Sequence, residues 1–210
     1  CPGLGFDWRV LLLNLPNKLT VIRIILAPVF LLLMMVEFPF HYLAAGLVFG
    51  AASLTDLFDG RIARRDGLIT DLGKFLDPLA DKMLTTAAFL GFLAVDALDV
   101  WALMVILSRE FMVTSVRLVA AGGGTVIAAS RWGKAKTVAQ MTAILYMLAA
   151  LEFSTWGGTV FAWVGVTLPE LAFTLPLLLG RVLVWVSVVM TVISGIQYLW
   201  NYRSCFRQAS

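Results

Sequence analysis

Histidine, cysteine and charged side chains are scarce in this chain of 210 residues. The single histidine, His41, lies at the outer end of the second hydrophobic stretch, 41–62, which argues against histidine-based catalysis. The two cysteines, Cys1 and Cys205, do not stand at the spacing of a zinc site. Only 14% of residues are charged, and the net charge of +3 does not indicate binding to nucleic acid.

Hydrophobic residues are abundant instead, at 60% of the chain, and the mean hydropathy is +0.91. Both exceed what a soluble domain contains. Six apolar stretches are each about as long as a membrane-spanning helix; they are 19–37, 41–62, 72–95, 99–121, 134–153 and 176–201. The sequence therefore predicts an all-α polytopic membrane protein with six transmembrane helices. Residues 154–175, which include Gly157, Gly158 and Pro169, are predicted to form an outer loop.

The basic residues predict the orientation in the membrane. They concentrate before the first stretch, in the second and fourth connections, and after the sixth stretch. By the positive-inside rule, both termini and the acid-rich second connection are cytoplasmic. The predicted organisation is a short interfacial amphipathic helix at 1–13, a transmembrane domain at 14–203 and a cytoplasmic tail at 204–210.

Four aspartates interrupt this apolar chain at helical spacing. Read as helix, Asp56 and Asp59 share one face, and Asp77 and Asp81 share a face of the next helix. One such residue alone is often a helix cap. Four in register at membrane depth indicate function, because unpaired ionised groups are costly there. Packed face to face, the two pairs would favour hard divalent cations such as Mg²⁺ or Mn²⁺.

The same segment resembles a family signature. Its residues fit the pattern D-x-x-D-G-x-x-A-R, then G-x-x-x-D-x-x-x-D, of the CDP-alcohol phosphatidyltransferases; they are Asp56, Asp59, Gly60, Ala63, Arg64, Gly73, Asp77 and Asp81. The resemblance implies a CDP-linked lipid donor, CDP-diacylglycerol, and two divalent ions held by the four aspartates. It also implies that Asp81 is the base, although metal ligation lowers a carboxylate's basicity, so ligand, base or both remain open. A homodimer is implied as well.

The residues between the aspartates suit a nucleotide and its phosphates. Gly60 and Gly73 leave room for the cytidine phosphate to approach the helices, and Ala63 keeps the same wall low. Arg64 can bind phosphate oxygens through two nitrogens. With Asp56 these residues form the predicted donor site. The alternative for the glycines is tight packing between helices.

Cationic and hydroxyl side chains elsewhere predict a phosphate pocket for the acceptor; they are Thr20, Arg23, Arg109, Arg117, Lys134, Lys136 and Thr137. Arg109 and Arg117 are eight residues apart and therefore lie on one face of a helix. The alternative is an internal ion pair, with Glu110, Asp77 or Asp81 as the partner of these cations.

The stretches that carry these residues resemble the bacterial members of the family that use sn-glycerol 3-phosphate as acceptor. That resemblance implies a bacterial cell-membrane enzyme of phospholipid synthesis, with a cytoplasmic active site. Two alternatives remain. Another member of the family would take inositol phosphate, serine or phosphatidylglycerol, and a divalent-cation transporter could also place acids at membrane depth. A transporter would not need Arg64 beside its ions, because a fixed cation weakens cation binding.

Overall fold

The computed structural model describes residues 15–66, 71–122, 131–165 and 167–207, with side chains at 20–55, 80, 82–117, 131–165 and 167–200. The described residues form helices and connecting turns only. The six helices are α1 (Leu15–Met35), α2 (His41–Asp66), α3 (Asp71–Ala94), α4 (Val100–Gly122), α5 (Arg131–Trp163) and α6 (Glu170–Arg207). The predicted interfacial helix at 1–13 lies outside the described residues. The chain divides into two units, Cys1–Ala88 and Phe89–Ser210.

In the first unit, α1 and α2 form an antiparallel hairpin. The short turn that joins them includes Phe40 in the left-handed region, with a φ of 64°. His41 begins α2 and is buried, and its Nδ1 lies 2.9 Å from the Phe38 carbonyl oxygen. Phe30 of α1 contacts Phe49 of α2, with ring centroids 5.9 Å apart. Aromatic and small residues thus hold the two helices together along one stripe of each.

In the second unit, a Schellman motif ends α3. The Ala97 amide donates to the Phe92 carbonyl at 2.8 Å and the Asp96 amide to the Leu93 carbonyl at 3.2 Å. Asp96 occupies the left-handed position, with a φ of 56°, where glycine is usual but aspartate is tolerated. The exposed Arg181 of α6 donates through Nη2 to the Asp96 carbonyl at 2.8 Å. This bond ties α6 to the turn before α4.

The prediction of an outer loop at 154–175 is wrong for most of that segment. Helix α5 continues to Trp163, and α6 already begins at Glu170. The glycines are explained by packing, because a Cβ on Gly157 would lie 3.2 Å from the Phe153 ring and 3.4 Å from Phe173 of α6. Close approach of two helices requires a small residue there. The turn contains Gly165 with a φ of 79°, a conformation that suits glycine.

Within the part of the chain that the structure describes, two helices are long and apolar enough to cross a membrane, Arg131–Trp163 and Glu170–Trp200. Thr20–Met35, His41–Thr55 and Lys82–Ala94 are shorter apolar helical segments. In α4, Arg109, Glu110 and Arg117 interrupt the apolar stretch. The outward face of α6 exposes valines, isoleucine and tryptophan, as a lipid-facing helix does. These helices are compatible with a membrane protein, and the count of six spans stays a prediction.

Candidate active site

The predicted donor and metal residues lie on two consecutive helices. Asp56, Asp59, Gly60, Ala63 and Arg64 occupy the last three turns of α2. Gly73, Asp77 and Asp81 occupy the first three turns of α3. The helical spacing predicted for both sets is therefore present in the backbone. Their side chains, and residues 67–70 between the two helices, lie outside the described residues.

The register of α2 continues its buried stripe into the aspartates. Tyr42, Ala45, Phe49 and Ala52 are buried and alternate at three- and four-residue spacing. The next positions of the same register are Asp56, Asp59 and Ala63. The signature thus starts where the apolar stripe of the hairpin ends, on the same side of the helix.

Two predicted acceptor residues lie at the level of the first aspartate pair. Phe30 and Phe49 contact each other across the hairpin. Arg23 comes seven residues before Phe30, and Asp56 comes seven residues after Phe49. In an antiparallel pair both positions are on the order of 10 Å beyond that contact, in the same direction. Thr20, one turn before Arg23, reaches the level of Asp59 in the same way. Thr20 and Arg23 are 1% and 2% exposed.

The donor set of the four aspartates fits hard divalent cations. Carboxylate oxygens are the ligands that Mg²⁺ and Mn²⁺ prefer, and two aspartates occupy positions on one face of each helix. Among the residues whose side chains are described, no cluster of three or more acidic, histidine or cysteine side chains forms a second metal site.

The second unit brings two predicted acceptor cations together around Glu110. Lys136 of α5 and Arg109 of α4 both donate to Oε1 of Glu110, and the Arg109 bond is 3.2 Å long. Arg109 also donates through Nη2 to the Ser194 hydroxyl of α6, at 2.6 Å. The sequence left Glu110, Asp77 and Asp81 as possible partners of these cations. In this unit the partner is Glu110.

Gly195 makes room for Arg109 on α6. A Cβ at Gly195 would lie 3.0 Å from the Arg109 Cγ and 3.9 Å from its Nε. Any larger residue would have to displace the arginine by a few tenths of an ångström. The glycine next to Ser194 therefore leaves the space against which the Arg109 side chain packs.

The other predicted acceptor residues of this unit lie at the surface. Arg117 is exposed, and its guanidinium carbon lies 5.6 Å from the centre of the Tyr198 ring, a cation–π arrangement. Lys134 and Thr137 are also exposed, and the Thr137 hydroxyl donates to the Gly133 carbonyl at 3.1 Å. These groups remain accessible to a water-soluble anion.

Sequence reasoning missed the polar partners on α6. Ser187, Thr191 and Ser194 are buried at helical spacing inside an apolar helix, and Thr191 accepts a hydrogen bond from Gln140 of α5 at 3.4 Å. That periodicity of hydroxyl residues in the last hydrophobic stretch was the available signal. Polar residues on one face of a membrane helix indicate contact with another helix rather than with lipid.

Comparison with known proteins gives one family and a set of bacterial relatives. The model of the family described as CDP-alcohol phosphatidyltransferase matches residues 13–193. The CDP-diacylglycerol--glycerol-3-phosphate 3-phosphatidyltransferase of Bacillus subtilis (strain 168) is 40% identical over 203 residues, covering 91% of this chain and 94% of the relative. The protein of the same name from Rickettsia typhi is 32% identical over 192 residues, covering 91% and 97%. The "Probable phosphatidylglycerophosphate synthase" of Mycobacterium tuberculosis is 42% identical over 139 residues, covering 65% and 66%.

Proposed function

Because the chain belongs to the CDP-alcohol phosphatidyltransferase family, we propose that it transfers the phosphatidyl group of CDP-diacylglycerol to sn-glycerol 3-phosphate. The products are phosphatidylglycerophosphate and CMP. The observation that carries the proposal is the similarity, over nearly the whole chain, to relatives named for this reaction. The protein is thus a transferase of phospholipid synthesis.

The transfer needs a base for the acceptor and charge neutralisation for the donor. The acceptor's sn-1 hydroxyl oxygen bonds to the phosphorus of the phosphatidyl group, the bond from that phosphorus to the CMP oxygen breaks, and Asp81 takes the hydroxyl proton. The family generally uses divalent metal ions. Here Asp56, Asp59, Asp77 and Asp81 would hold two ions, Mg²⁺ or Mn²⁺. Such ions supply charge neutralisation on the pyrophosphate.

The donor site is proposed on the same helical turns. Gly60 and Gly73 carry no side chain, so each leaves its helix backbone open to the cytidine phosphate. Ala63 follows Asp59 by one turn and adds only a methyl group to that face. Arg64 supplies a planar fork of donors for the phosphate oxygens.

Acceptor binding is proposed to use the hydroxyl and cationic residues that the sequence predicts for it. Thr20 and Arg23 support it from the first unit, because they lie at the level of the first aspartate pair in the α1–α2 hairpin. In the second unit, the exposed Arg117, Lys134 and Thr137 can meet a soluble phosphate directly. Arg109 and Lys136 are both paired with Glu110.

We also propose the membrane arrangement. The relatives are bacterial enzymes of lipid synthesis, and two helices are apolar enough to cross a membrane. Six spans are proposed from the six apolar stretches of the sequence, and cytoplasmic termini and a cytoplasmic active site from the distribution of its basic residues. A homodimer in the bacterial cell membrane rests on the family resemblance.

An acceptor panel tests this function. The purified protein is given CDP-diacylglycerol, Mg²⁺ and one of four acceptors: glycerol 3-phosphate, inositol phosphate, serine or phosphatidylglycerol. CMP release in detergent should be fastest with glycerol 3-phosphate, and the lipid product should have the mass of phosphatidylglycerophosphate. Faster release with another acceptor would contradict the proposed substrate. Because detergent solution holds no ion gradient, any CMP release also argues against a cation transporter.

A further inference from the structure

Glu110 has been assigned no part in the reaction, yet it connects three helices of the second unit. Its Oε1 accepts from Lys136 of α5 and from Arg109 of α4, and Arg109 continues to Ser194 of α6. We propose that Glu110 is a positioning residue for the acceptor, a role that depends on the proposed function. It holds Arg109 and Lys136 as oriented cations for the acceptor's phosphate.

Burial makes the two cations depend on this carboxylate. The exposed fractions of the side chains are 7% for Lys136, 11% for Arg109 and 18% for Glu110. Removing a cation from water is strongly unfavourable unless an anion and hydrogen bonds replace the water. Glu110 supplies that anion to both.

The hydrogen bonds also fix how Arg109 is oriented. Nη1 is bonded to Glu110 and Nη2 to Ser194, so the plane of the guanidinium is held between two helices. Nε is buried and has no hydrogen-bond partner among the described residues. A phosphate would meet a preset arrangement of charge, whereas a flexible arginine would first have to be ordered, which costs conformational entropy.

Glu110 itself is unsuited to contact the phosphate, since two anions repel. Its effect on the acceptor must therefore pass through Arg109 and Lys136. A purely structural tie between helices is the competing explanation. The two explanations differ in a measurable way, because a structural tie affects both substrates and the folded state, whereas a positioning residue affects the acceptor alone.

The test compares Glu110→Gln with the wild-type protein in CMP-release assays at varied concentrations of each substrate. The KM for glycerol 3-phosphate should rise about tenfold or more, as expected when a buried charge loses its partner. The KM for CDP-diacylglycerol should stay within about twofold. Glu110→Asp, which keeps the charge on a shorter side chain, should recover part of the loss. The matched control is Glu152→Gln on α5, which removes another half-buried carboxylate.

A double variant shows whether Glu110 acts through its partners. The double variant Glu110→Gln/Lys136→Gln should raise the KM for glycerol 3-phosphate by a factor much smaller than the product of the factors measured for the two single variants. If Glu110→Gln does not fold, Ser194→Ala removes only the hydroxyl that orients Arg109, and it should raise the same KM by about threefold.

Three results would overturn the positioning role. In Glu110→Gln they are an equal rise in both KM values, an unchanged KM for glycerol 3-phosphate, or a lower KM for glycerol 3-phosphate. A lower KM would mean that Glu110 competes with the phosphate for the cations. Failure of the proposed function looks different, because the wild-type protein would then form no phosphatidylglycerophosphate from glycerol 3-phosphate.

Discussion

The α1–α2 hairpin and the α4–α6 helices arrange their polar residues in different ways. In the hairpin, Thr20 and Arg23 of α1 and the first aspartate pair of α2 lie at matching levels, in the registers of two buried stripes. In the second unit, the cluster around Glu110 draws one or two residues from each of three helices. The spacing of the aspartates follows from the sequence of single helices, whereas the cluster around Glu110 also needs contacts from α5 and α6.

The difference indicates a division of labour. A site that binds two metal ions needs several oxygen ligands at fixed separations, which helical spacing on adjacent turns supplies. An acceptor pocket needs cations that stay charged while partly buried, so each requires an anionic or polar partner from another helix. We therefore expect variants of the four aspartates to abolish transfer and variants of the proposed acceptor residues to change acceptor affinity.

The largest effect is expected at the aspartates. Asp56→Ala, Asp59→Ala and Asp77→Ala should each lower turnover by roughly 100- to 1000-fold or more, because charge stabilisation in the transition state is lost. Each variant should also lose the thermal stabilisation that Mg²⁺ gives the wild-type protein. Glu37→Ala, which removes an exposed carboxylate from the turn before α2, serves as the control. Near-normal activity of any aspartate variant at saturating Mg²⁺ would remove that residue from the ligand set.

Asp81→Asn separates metal binding from proton transfer. The amide can still coordinate weakly but cannot accept the hydroxyl proton, so the variant should bind CDP-diacylglycerol and transfer slowly. Single-turnover CMP release, measured with saturating enzyme, isolates this step from product release. If the variant transfers at close to the wild-type rate, another group is the base.

Substitution of Arg117 should strongly affect the kinetics of the acceptor and leave those of the donor unchanged. Arg117→Ala should lower kcat/KM for glycerol 3-phosphate by roughly 30- to 150-fold, equivalent to about 2 to 3 kcal/mol for one charge-assisted contact. Arg117→Lys should recover only part, because a point charge replaces a planar fork. Arg181→Ala removes another exposed arginine and should leave both KM values unchanged. A loss that follows the fraction of folded protein would indicate a structural role for Arg117.

The smallest effect is expected from a matched pair of glycines on α6. Gly195→Ala should raise the KM for glycerol 3-phosphate by about two- to fivefold, because the new methyl group displaces Arg109 slightly. In Gly180→Ala the methyl group would meet the Met147 sulfur at 2.9 Å, at the end of a flexible side chain that can move. Gly180→Ala should leave the KM unchanged. Equal effects of both variants would show that α6 packing in general, not Arg109, is being disturbed.

Local periodicity explains how much could be predicted from the sequence. The positions of the signature on α2 and α3 follow from i, i+3 and i+4 spacing alone, and all six predicted stretches correspond to helices. The prediction of an outer loop was wrong because Gly157 and Gly158 were interpreted as loop residues. Both lie in α5, where Phe173 of α6 packs against them. That Lys136 shares Glu110 with Arg109 was not predictable, because this contact joins α5 to α4 and depends on how the two helices pack.

The crossed effect of two variants on two substrates tests the division of labour most directly. Gly60→Ala alters the proposed donor site, and Arg117→Ala alters the proposed acceptor pocket. Initial rates of CMP release over a grid of CDP-diacylglycerol and glycerol 3-phosphate concentrations give both KM values for each variant. We predict that Gly60→Ala raises mainly the KM for CDP-diacylglycerol, and Arg117→Ala mainly the KM for glycerol 3-phosphate. If both variants raise the same KM, or each raises both equally, the two regions do not serve separate substrates.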